Sequence, residues 1–186
     1  MKFKSCRLIL LTGEKHSGKT TFLKKVAAKL KKENFRIAGF LAPSIYEGAF
    51  LSGFDIVDIN NGRRVKLARR KSLDEAFQFS EHGLKFGRKI LKSKETRNAD
   101  LIIIDEFGPL ELQGGGWREC VDSLLKSVKS LILLVVRKES AEEVSRLYSH
   151  KHPIVLPASD SLSADNKQFR KLINELQKKQ KLLKKK

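Results

Sequence analysis

Eight consecutive residues carry the densest chemistry in the chain: Gly13-Glu14-Lys15-His16-Ser17-Gly18-Lys19-Thr20. Their spacing fits G-x-x-x-x-G-K-[ST], a phosphate-binding loop. Gly13 and Gly18 let the backbone turn tightly and bring consecutive N–H groups close to an anion with no Cβ in the way. Lys19 has the charge and reach to meet β- and γ-phosphates, and the Thr20 hydroxyl is a hard oxygen donor suited to Mg²⁺. The expected phosphate-binding set therefore runs from Gly13 through Thr21. Lys15 and His16 fall in its variable part, where backbone N–H groups do the binding. A glycine turn ahead of an ordinary helix would look similar, so the flanks and a second site have to decide.

That second site is Asp105-Glu106, which closes the apolar run Leu101-Ile102-Ile103-Ile104. A carboxylate at the end of a buried strand, paired with a phosphate loop, is placed to hold Mg²⁺ together with Thr20. Glu106 stands where a water attacking a terminal phosphate would be polarised. An acid there favours hydrolysis over transfer to a bound acceptor, whose own hydroxyl would be the nucleophile. Developing negative charge also calls for a cation. Arg137, just beyond the apolar run 131–136, is the candidate, and Lys138 is the second. The catalytic set expected from the sequence is Lys19, Glu106 and Arg137, with Thr20 and Asp105 as metal donors.

The elements around these residues read as alternating strands and helices. Residues 7–12 form an apolar strand, and 19–33 show helical spacing with apolar residues at 22, 23, 26, 27 and 30. Helix N–H groups at the start of 19–33 lack intrahelical partners and add to the anion cradle. Residues 37–41 make a second strand, stopped by Pro43. Asn60-Asn61-Gly62 lies between partly alternating runs and predicts a β-hairpin over 51–68. Residues 73–95 read as mostly helical, with Gly83 and Gly87 allowing close packing. Residues 109–116 read as a connection and 117–128 as a helix. A buried strand covers 131–136. Ser140 and Glu143 suggest a capping box for a helix over 140–148. A short strand covers 154–156, and a last helix covers 165–183. Such alternation implies a mostly parallel sheet covered on both faces, in one domain over 1–186.

The charge balance is strongly basic: 39 Lys and Arg against 21 Asp and Glu, a net charge of +18. It suits polyanions, nucleotides among them, and admits weak nucleic-acid binding through a basic surface. Six of the last nine residues, 178–186, are lysine, which reads as a frayed, solvated tail. No apolar run approaches the ~20 residues of a membrane span. The basic start of the chain leads into the phosphate loop without a cleavage site, so it is not read as a signal peptide. Cys6 and Cys120 form no metal-type or redox-type pair. A reduced, cytoplasmic monomer is expected.

With these residues in place, the chain resembles the small nucleoside-triphosphatase family of thermophiles, whose animal member is called cancer-related nucleoside-triphosphatase. The resemblance rests on the phosphate loop, on Gly39-Phe40, on Gly53-Phe54-Asp55-Ile56-Val57, and on Ile104-Asp105-Glu106-Phe107-Gly108-Pro109-Leu110-Glu111-Leu112. The last of these is similar to the family's D-E-[IV]-G-x-[ML]-E-L pattern. The resemblance implies a three-layer, RecA-like α/β fold, which the hairpin read over 51–68 extends with antiparallel strands. It implies slow, Mg²⁺-dependent hydrolysis of ATP, GTP and other nucleoside triphosphates to diphosphate and phosphate. It also implies a strand, here 131–136, between the phosphate-loop strand and the strand ending at Asp105. The family's T-x-E-[VI]-R run is replaced by Ala42-Pro43-Ser44-Ile45-Tyr46-Glu47, so its acid and arginine do not transfer and base preference stays open. Two alternatives compete: a nucleotide or small-metabolite kinase, and a regulatory nucleotide-binding module that engages nucleic acid.

Overall fold

The computed structural model describes residues 8–14 and 17–158, together with Asn174 and Leu176. In chain order the elements begin with β1 (Leu8–Gly13), α1 (Lys19–Lys32), β2 (Ile37–Leu41), β3 (Ser44–Glu47), β4 (Phe50–Asp58), β5 (Arg64–Arg69) and β6 (Gln78–Phe79). They continue with α2 (Glu81–Lys92), α3 (Lys94–Arg97), β7 (Leu101–Ile104), α4 (Pro109–Leu112), α5 (Arg118–Ser127), β8 (Leu131–Arg137), α6 (Ala141–Leu147) and β9 (Ile154–Pro157). The strands form one sheet in the order β6-β5-β4-β2-β7-β8-β1-β9, with β3 added on β4.

The sheet has two parts. Strands β2, β7, β8, β1 and β9 run parallel. Strands β3 to β6 pair antiparallel and attach where β4 meets β2. Strands β2, β7, β8 and β1 are mostly apolar along their length, as strands covered by helices on both faces are, while β9 is the more open edge. Leu8, Leu10, Ile102, Ile104, Ile132 and Leu134 face a core shared with α2, α5 and α6. Their neighbours Ile9, Leu11, Ile103 and Leu133 face the opposite core, under Phe22, Leu23, Val26 and Leu30 of α1. The period-two alternation of strands thus splits one apolar run between two cores. Leu176 is helical and buried in the α1 core.

The expected strand order holds: β8 lies between β7 and β1, and Gly13 pairs in register with Arg137. The predicted hairpin is present as β4 and β5. Gly39 explains one Gly-Phe pair, because at φ 99° an added Cβ would lie 1.9 Å from the Ile103 carbonyl oxygen across the sheet. Gly83 lets α2 rest directly on β5, where a Cβ would lie 2.3 Å from the Lys66 carbonyl oxygen, while the space beside Gly87 is filled by the Trp117 indole.

Three local expectations are corrected and one strand is added. Residues 73–80 are not helical: β6 pairs with β5, and α2 begins only after Ser80, whose side chain accepts the Gly83 N–H. Residues 44–47, to which no element was assigned, form the edge strand β3 on β4. Residues 109–112 form a short helix rather than a plain connection. Ser140 makes no side-chain cap; it ends a 3₁₀ turn that leads into α6. The predicted helix over 165–183 and the lysine tail over 178–186 lie outside the described residues, save Asn174 and Leu176. Among the described residues no helix is long and apolar enough to cross a membrane.

Candidate active site

Parallel topology delivers the site residues to one edge. The chain leaves β1 at Gly13, and Gly18, at φ 78°, turns it into α1. Strand β7 ends at Ile104, immediately before Asp105, and β8 ends at Arg137. In open α/β sheets this carboxyl-end edge is where ligands bind. A cavity of about 660 Å³ opens there, and its lining includes Lys19, Thr20, Asp105, Glu106 and Arg137. Ser17, Gly18 and Thr21 also line it. Lys15 and His16, expected in the loop, lie outside the described residues.

Lys19 is buried, and its ammonium folds back to donate to the loop's own carbonyls, Gly13 at 2.9 Å and Glu14, and to Ser17 Oγ at 3.2 Å. Burial pulls its pKa below the usual lysine value, while Glu106 and Asp105 push it back up. Thr20 Oγ1 donates to Asp105 Oδ2 at 2.7 Å, and the same oxygen accepts the Ala42 N–H at 3.1 Å. Asp105 is 3% exposed, and burial raises its pKa to about 6. A hydroxyl and a carboxylate in contact, at the start of α1 and the end of β7, form a pair of hard oxygen donors suited to a divalent cation. P-loop proteins of this kind use a divalent cation.

Glu106 and Arg137 meet, with Arg137 Nε 2.6 Å from Glu106 Oε1 and both side chains about one-third exposed. Sequence reasoning placed both at this edge but did not foresee their ion pair. Lys138 is elsewhere: it pairs with Glu14 at 2.8 Å on the surface, and this bond raises its pKa.

One acid was underread. Glu111 is 4% exposed, and its carboxylate accepts the Gly108 N–H at 2.8 Å and the Trp117 N–H at 3.2 Å. Burial raises its pKa to about 7. It also lines the cavity and anchors the turn after Asp105-Glu106. The signal was available: Pro109 suits a first helical position, and an acid three residues after Gly108 suits the helix start.

Loop, helix start and strand-end carboxylate define a P-loop nucleoside-triphosphate-binding protein of the RecA-like type. A family model described as NTPase matches residues 8–181, and the chain belongs to that family. Membership favours hydrolysis over phosphoryl transfer to an acceptor. Nucleoside-triphosphatase THEP1 of Methanothermobacter thermautotrophicus is 36% identical over 135 residues, 70% of this chain and 76% of that protein. Nucleoside-triphosphatase THEP1 of Ignicoccus hospitalis is 30% identical over 147 residues, 78% of this chain and 85% of that protein. Two solved structures share the fold. A human cancer-related nucleoside triphosphatase aligns with a TM-score of 0.70 at 20% identity, covering 92% of this chain and 98% of its own. THEP1 from Aquifex aeolicus aligns with a TM-score of 0.61 at 22% identity, covering 81% and 89%.

Proposed function

We propose that the chain hydrolyses the terminal phosphate of nucleoside triphosphates with Mg²⁺, slowly and with broad base preference. The observation that carries this reading is the meeting of Lys19, Thr20, Asp105, Glu106 and Arg137 in one cavity at the carboxyl edge of the sheet.

Two of these groups are held in pairs that a triphosphate would exchange. Lys19 turns from the Gly13 and Glu14 carbonyls to the β- and γ-phosphate oxygens, which are stronger acceptors because they are charged. Arg137 turns from Glu106 to the γ-phosphate. That exchange releases the Glu106 carboxylate to orient the attacking water and take its proton. Thr20 and Asp105 would hold the cation, which would supply charge neutralisation to the phosphates. Loop N–H groups and the start of α1 stabilise the charge that develops at the β–γ bridge.

Phosphate release from ATP, GTP, CTP and UTP, each with and without Mg²⁺ and with no acceptor present, tests the reading. Release from all four that depends on Mg²⁺ supports it. Consumption only when an acceptor is supplied overturns it in favour of a kinase. Weak nucleic-acid binding, a monomeric state and a cytoplasmic location belong to the same proposal. The first rests on the charge balance and the last on cysteine usage. A salt titration of RNA binding and a sedimentation measurement check the first two.

A further inference from the structure

The cavity is larger and less polar than a terminal phosphate and one water require. Beyond Asp105 and Glu106 it continues under the antiparallel strands as an apolar chamber. Its walls there are Tyr46, Phe54, Phe77, Phe79, Leu110 and Trp117. Phe54 and Phe77 stand with ring centroids 5.0 Å apart. Tyr46 and Phe79, on β3 and β6, are 50% and 51% exposed, two of the four exposed large apolar side chains among the described residues. Single apolar residues on a surface are ordinary, but two that share one cavity with three further aromatic residues form a pocket of ligand-binding type.

In the proposed orientation of the triphosphate, the chamber lies away from the nucleotide's own base. The proposed function puts the terminal phosphate against Asp105 and Glu106, so the nucleoside leaves from the other end of the phosphate chain. No residue of β9, the neighbour of β1 on that other side, lines the cavity.

The charges narrow the occupant. The acids at the chamber are Asp105, Glu106 and Glu111. Nearby basic groups of the antiparallel strands are engaged: Arg69 pairs with Asp55, and Arg70 stacks over Phe50 and Phe77. Lys19 and Arg137 serve the phosphates. An anionic ligand would meet these carboxylates, and among the described lining residues the cations are Lys19 and Arg137, both already committed. An uncharged ring would find five aromatic faces and edges, a sequence-tolerant stacking surface.

We propose that this chamber is a second ligand site, for an uncharged aromatic ring compound of nucleoside size held beyond the terminal phosphate. The assignment rests on the proposed orientation of the triphosphate. Its occupant would sit in the path by which water reaches Glu106 and would slow hydrolysis without displacing the nucleotide.

Trp117 is the chain's only tryptophan and lines the chamber, so its fluorescence reports occupancy. The probe is adenosine, which has the ring but no phosphate. It is titrated into the full chain loaded with Mg²⁺ and a non-hydrolysable ATP analogue. A saturable change in Trp117 emission is expected. The double variant Tyr46→Ala, Phe79→Ala, which removes two exposed rings, should weaken adenosine about tenfold. Its phosphate release without adenosine should stay within about twofold of the parent. In turnover, adenosine should lower kcat and leave KM for the triphosphate within about twofold. No emission change in the loaded protein overturns the proposal. So does a change seen only without the analogue, which would put adenosine at the nucleotide's own base site. Parental affinity in the double variant overturns it as well. The emission titration needs no turnover, so it stands or falls separately from hydrolysis.

Discussion

The parallel and antiparallel halves of the sheet solve different problems. Every residue of β2, β7 and β1 is buried, and β8 is buried up to Arg137. These four strands are covered on both faces and present chemistry only at their ends, while the edge strand β9 is mostly open to solvent. The antiparallel half is mixed: β5 alternates toward solvent and β3 is mostly exposed. It keeps Asp55 and Asp58 buried, with Arg64 and Arg69 on Asp55. In the proposed function the first half fixes where phosphate and metal would go. The second shapes what lies beyond them. Catalysis should therefore be sensitive to changes at the strand ends of the parallel half and tolerant of changes in the antiparallel half.

The sharpest way to break that division starts with Lys19→Ala. It should lower phosphate release about 10³-fold, as loss of a preorganised charge-stabilising donor does, with the fold intact by circular dichroism. Glu106→Gln should lower turnover about 10²-fold and retain nucleotide binding by calorimetry. Parental turnover in that variant would remove Glu106 from the mechanism.

Asp105→Asn separates stability from activity. Burial raises the folded pKa of Asp105 from 3.8 to about 6, so folding favours its neutral form. That preference is fully present below the unfolded value and is lost as pH rises through about 6. The variant, fixed neutral, should gain on the order of 2 kcal/mol above about pH 7 and almost nothing below about pH 4, measured by urea unfolding without metal or nucleotide. Its Mg²⁺-dependent turnover should disappear.

Gly83→Ala strikes the antiparallel half, forcing α2 off the Lys66 carbonyl. It should destabilise by about 1–3 kcal/mol and change kcat by less than about threefold. A collapse of activity at a temperature where the variant is folded would show that the two halves are not separable. Arg64→Ala removes a half-exposed partner of Asp55 and should cost under about 0.5 kcal/mol, less still in high salt.

Much of the parallel half was legible because its signals are local. Leu101-Ile102-Ile103-Ile104 followed by Asp105 reads as a buried strand with an acid at its end, whatever surrounds it. The phosphate loop likewise carries its spacing and its helix in twenty residues. The rest depends on partners far away in the chain. Phe77-Gln78-Phe79 could extend a helix until β5 is there to pair with it. Ser44 to Glu47 is a strand only because β4 returns alongside. Glu111 reads as one acid in a short motif until Gly108 and Trp117 turn their N–H groups toward it. The Glu106–Arg137 pair joins two strand ends that only the sheet order brings together. The aromatic chamber draws on five segments, none of which looks like a pocket by itself.

The place of β1 in the sheet has a consequence for biosynthesis. It leaves the ribosome before the other strands of the sheet, yet its two neighbours, β8 and β9, span residues 131–157. The phosphate loop therefore hangs from an unpaired strand until most of the chain has been made, and its contacts are among the most distant in sequence. Closing such long-range parallel pairs is slow, and the waiting apolar strand is open to wrong partners meanwhile. A nascent chain stopped before residue 131 should present no nucleotide site, however complete its loop sequence.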